Sequence, residues 1–132
     1  MGAWGSGPFD NDDAADWAYQ LTDDADEAVV GVALVAVVGD SSPDAPTASC
    51  AIAAAEVVAA GLGRPHPELP DEVADWVAAR RDRPWAGLVP SALAALDRVA
   101  SDSELSELWG EAEDAAWGEE VDDLRARLAS AG

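Results

Sequence analysis

The residues best suited to chemistry in this 132-residue chain are carboxylates, and two places stand out. Asp10-Asn11-Asp12-Asp13 gathers acids in the manner of a calcium loop. An EF-hand loop needs ligands at alternate positions, a glycine at the sixth and a glutamate at the twelfth. Here those positions hold Ala15 and Leu21. The cluster therefore reads as a set of caps for a helix start, and no metal is expected. The second place is Glu56, alone among Ala53, Ala54, Ala55, Val57 and Val58. A carboxylate there is costly if buried without partners. Hydrogen bonding to a loop or a Trp indole is the structural reading; general acid/base work or metal ligation is the functional one. No second carboxylate lies beside it at helical spacing, which weighs toward structure.

Other chemistry fails on spacing. Cys50 is the one cysteine and His66 the one histidine. Nothing in the sequence brings thiol and ring together as a nucleophile pair, and Cys50 reads as a small buried hydrophobe. Arg80, Arg81, Arg83 and Trp85 form the one basic–aromatic cluster, which fits the cationic end of a helix better than an anion grip. In Gly61-Leu-Gly63 the third glycine of a nucleotide fingerprint falls at His66. Gly39-Asp-Ser-Ser lacks the flanking glycine of a nucleophile elbow. HExxH, Walker and CxxC patterns are absent, so no cofactor is expected and the motif inventory argues against an enzyme.

The elements that must position these residues read as helices. Residues 1–9 form a Gly-rich loop with Trp4 and Phe9 as apolar anchors, expected to dock on the core. Ala14, Trp17, Ala18 and Leu21 then lie on one helical face. Asp23 to Glu27 opens a second helix over Val29–Val38. This run could also form a buried strand, but its acidic start and the lack of a partner strand favour helix. Residues 39–46 and 63–70 are connectors. Thr47 to Leu62 reads as an Ala-rich buried helix ended by Gly61 and Gly63.

Asp71 opens a helix with Val73, Trp76 and Val77 inward, closed by Arg80, Arg81 and Arg83 before Pro84. Pro90 begins another, carrying Leu93, Leu96 and Val99. Ser103 onward brings Leu105, Leu108 and Trp109 inward, and Trp117, Val121, Leu124 and Leu128 share a last face. With Trp17, Trp76, Trp109 and Trp117 as core, the sequence predicts a single all-α domain, 1–132, of about six or seven short helices. Self-similarity is confined to two Asp-Trp helices whose flanks diverge.

Charge narrows the partners. The chain carries 27 acidic residues against 7 basic ones, a net −20. Every basic residue is Arg, and none precedes Arg64. Nucleic acid and anionic membrane are excluded as partners, because their binding needs cations that displace counterions from phosphates. A basic protein is permitted, and so is acidity that serves only solubility or salt tolerance. Val29–Val38 is too short to span a bilayer as a helix. Gly2 and Ser6 match a myristoylation pattern, but acidic neighbours oppose an anionic leaflet and the match reads as chance. No positive n-region opens the chain, so a cytoplasmic location is expected.

The stretch Met1-Gly-Ala-Trp-Gly-Ser-Gly-Pro-Phe-Asp-Asn-Asp-Asp-Ala-Ala-Asp-Trp17 resembles the opening signature of the domain of unknown function 4259 family. The resemblance continues through Ala53–Glu56, Leu69–Trp76 and Ser103–Trp109, nearly the whole chain. It implies small, standalone bacterial proteins and brings no catalytic residues to carry over. Two functions then compete. The first is a binding module, immunity- or antitoxin-like, that engages a basic partner through Trp4, Phe9, Asp10, Asp12, Asp13 and Glu56. The second is a metal-dependent or acid/base hydrolase using Glu56 and nearby carboxylates.

Overall fold

The structure, a computed structural model, describes residues 12–22, 24–39, 44–66, 69–80, 82–102 and 116–131. Six α-helices and one 3-10 turn make up these residues, with no strand among them. Helix α1 (Asp12–Ala18) buries Ala14 and Trp17, the expected face. Trp4, Phe9 and Asp10 lie outside the described residues, and with them the docking of the 1–9 loop. Asp12 and Asp13 are the first two residues of α1.

Helix α2 (Ala28–Val38) settles the choice between helix and strand. Asp26 supplies the acidic start by accepting the Ala28 N–H at 2.9 Å, the usual service of a short acidic side chain to unpaired amides. Val30, Leu34 and Val37 are buried at i, i+4 and i+7. The rest of this apolar helix is not covered: Val32 is 69 % exposed and Val35 61 %.

Helix α3 (Ala45–Gly61) begins two residues before the expected Thr47. Asp44 accepts the Thr47 N–H at 2.9 Å, and Pro46 fits a first turn, where its missing N–H has no bond to lose. Helix α3 packs against every other helix. Residues 51–59 are buried all round, as befits a helix with no polar face. Its alanines let the neighbours approach closely. Cys50, expected to be buried, is only half-buried, because it faces an open cleft lined by Trp17, Val29 and Val32.

Helix α4 (Asp71–Ala78) buries Val73, Trp76 and Val77. It ends before the arginines expected to close it, so Arg80 lies beyond the last turn. A 3-10 turn (Trp85–Leu88) leads into α5 (Val89–Asp102), and α6 (Ala116–Ala131) buries Val121, Leu124 and Leu128. The helix expected from Ser103, with Trp109, and the side chain of Trp117 lie outside the described residues.

Trp85, grouped by sequence with the arginines, belongs to the core: it is buried. Its indole N–H donates to the Arg80 carbonyl at 2.8 Å, and its ring meets Trp76 edge-on at 6.2 Å between centroids. That position explains Gly61, where a Cβ would overlap the Trp85 ring. Gly63 takes the left-handed turn that follows α3, at φ 88°, which a side chain would disfavour.

Candidate functional site

Glu56 faces inward from the middle of α3 and is 1 % exposed. Its partner is Arg127 of α6, whose two terminal nitrogens donate to the two carboxylate oxygens at 2.8 and 2.9 Å. This forked geometry is the strongest arrangement the pair can make. Arg127 also donates to Asp123 at 2.8 Å through Nε and to the Arg64 carbonyl at 3.0 Å. Burial opposes the guanidinium charge. The bonds and charge of Glu56, then of Asp123, more than offset this and raise Arg127 above its ordinary value. Glu56 thus clamps the central helix to α6. Both carboxylate oxygens are engaged by a permanent cation, which fits a structural tie.

Arg127 was not singled out by the sequence, although it flanks the apolar positions Leu124 and Leu128. Cys50 sits in the second turn of α3, whereas His66 lies beyond that helix's C-terminal end. Among the described residues, no three His, Cys, Asp or Glu side chains gather into a metal-binding group.

A second arginine organises the other end of the core. Arg80 donates from Nε to the Ala25 carbonyl at 3.0 Å and from its terminal nitrogens to Trp76 and Thr22 carbonyls at 3.0 and 3.3 Å. Its guanidinium lies 4.3 Å from the centroid of the Trp76 ring. The Trp76 indole N–H donates to the Thr22 carbonyl as well, at 2.9 Å. The segment between α1 and α2 is thereby fastened to α4.

Between α1 and α4 a cleft of about 290 Å³ remains open. Ala15, Ala18, Leu21, Pro70 and Val73 wall it, and Tyr19 and Glu72 supply its polar atoms. Exposed carboxylates Asp16, Asp71 and Asp75 stand on the same two helices. Four of the described arginines are engaged elsewhere: Arg83 near Glu27 at 3.7 Å, Arg125 on Asp97 at 2.6 Å, Arg127 and Arg80 as above. A second apolar cleft, of about 280 Å³, runs between Trp17, Val29, Val32 and Cys50. Among the described residues no helix is long and apolar enough to cross a membrane.

These features define a small, all-helical, strongly acidic protein with a core locked by arginines and most of its described carboxylates outside. A family model, Domain of unknown function (DUF4259), matches residues 2–120, and the chain belongs to that family. No curated protein and no solved structure matches it.

Proposed function

We propose that the protein is a binding module for a basic protein partner, of the kind that neutralises its target as immunity factors and antitoxins do. One observation carries this reading. Asp16, Asp71, Glu72 and Asp75 are exposed on α1 and α4, and none forms an ion pair among the described residues. Arg80, beyond the C-terminal end of α4, donates to the Ala25, Trp76 and Thr22 carbonyls. A field of one sign over a patch speeds association with an oppositely charged protein.

Affinity capture from the native host at low and high salt tests the reading, with identification of what is retained. A basic protein held at low salt, released at high salt and lost by the triple variant Asp16→Asn, Asp71→Asn, Asp75→Asn is expected. Absence of any salt-sensitive protein partner removes the proposal.

A further inference from the structure

We infer that the cleft between α1 and α4 is the seat for an arginine side chain presented by the basic partner. The inference rests on the binding reading above and gives it an anchor point. The volume, about 290 Å³, sits at the lower edge of the roughly 300–1,000 Å³ usual for small-molecule pockets. One long side chain fits such a space.

The lining selects which side chain. The aliphatic walls suit a hydrocarbon stem, and the polar groups are a carboxylate, Glu72, and an aromatic ring, Tyr19, which is 81 % exposed. An arginine joins an apolar stem to a planar cation able to stack on a ring and to pair with a carboxylate through two bonds. The lining contains no cation, and the neighbouring Asp16, Asp71 and Asp75 reinforce the negative potential. The protein already uses this recognition internally, where Arg80 lies against the Trp76 ring. At the cleft the aromatic and the acid are supplied, and the guanidinium is what is wanting.

The test titrates the full chain with a capped Arg-Gly-Arg-Gly-Arg peptide at low salt, followed by amide NMR shifts. Shifts centred on Ala15, Ala18, Tyr19 and Val73 are expected. Glu72→Gln and Tyr19→Ala should each weaken binding about fivefold, and the Lys-Gly analogue should bind more weakly than the Arg peptide. Asp122→Asn, at an exposed carboxylate on α6, should change binding by less than about twofold. All three positions are exposed, so the variants are expected to fold.

Equal weakening by all three variants, with shifts spread over the surface, overturns the arginine seat and leaves the binding reading standing. No binding at low salt removes both for arginine-bearing partners. Nuclear Overhauser contacts from the Trp4 or Phe9 ring to Ala18 or Val73 in the free protein would assign the cleft to the chain itself and overturn the inference.

Discussion

Arg127 and Arg80 both tie together segments far apart in sequence, 71 positions for Arg127–Glu56 and 55 for Arg80–Ala25. Arg127 does so with carboxylates, one of them buried in the central helix. Arg80 does so with neutral carbonyls and an indole face. The first lock stands or falls as a charge pair, since removing either partner leaves an uncompensated charge in the core. The second is a set of separate modest bonds, each replaceable by water when lost. The chain has 7 cations for 27 acids, and most of the described carboxylates are exposed. Exposed acids accordingly stand on α5 and α6 as well as on α1 and α4.

The largest effect should come from splitting the charge pair. Glu56→Leu or Arg127→Leu alone should lower stability by about 3–5 kcal/mol. The double variant should recover a good part of this, read as coupling in denaturant unfolding. Glu56→Gln should fall between, at about 1–3 kcal/mol, because an amide keeps an acceptor but not the charge. Additive losses would show that the two side chains do not act as one unit.

Gly61→Ala sharpens the comparison from the other end, since Gly61 on α3 meets the Trp85 ring that caps the Arg80 cluster. Overpacking there should cost about 1–3 kcal/mol by the same measurement. Arg80→Ala should cost a similar amount, and Arg80→Lys should restore little, because an ammonium cannot fork across three carbonyls.

Salt separates the two regions further. Added NaCl should raise the melting temperature by screening the exposed acids, whereas the coupling between Glu56 and Arg127 should hardly change. An unchanged midpoint would mean that surface charges are already compensated locally.

The smallest effect concerns Asp44. Its carboxyl is held below its ordinary value by the Thr47 side chain, then by the Thr47 N–H. The ionised form is thus favoured by folding. Its contribution is complete above the ordinary carboxylate value and disappears as pH falls through the lowered one. Asp44→Ala should slightly lower the melting temperature at neutral pH, and the difference from wild type should vanish in strong acid.

Helical periodicity made most of the fold legible in the sequence. Val73, Trp76 and Val77 declared an inward face that needed no tertiary knowledge, and all three are buried. Helix α2 was harder, because a continuous apolar run has no preferred period; Asp26 at its start was the usable sign. Glu56 was visible as a misplaced charge, yet its partner was not, since nothing local relates position 56 to position 127. Trp85 carried no core signal, because its neighbours are arginines and a helix-terminus rule accounts for them without requiring a core. The cleft residues Tyr19 and Glu72 carried no signal of their own. Only packing α1 beside α4 brings them to one place.

The Glu56–Arg127 clamp also imposes an order on synthesis. At about 5–20 residues per second, the ribosome needs roughly 4–14 s to add the 71 residues from Glu56 to Arg127. Throughout that interval α3 can form locally but cannot bury its acid in a finished core. The clamp between α3 and α6 therefore closes only once α6 has been made. A product broken off upstream of Arg127 would lack the cation that holds Glu56 in the finished core.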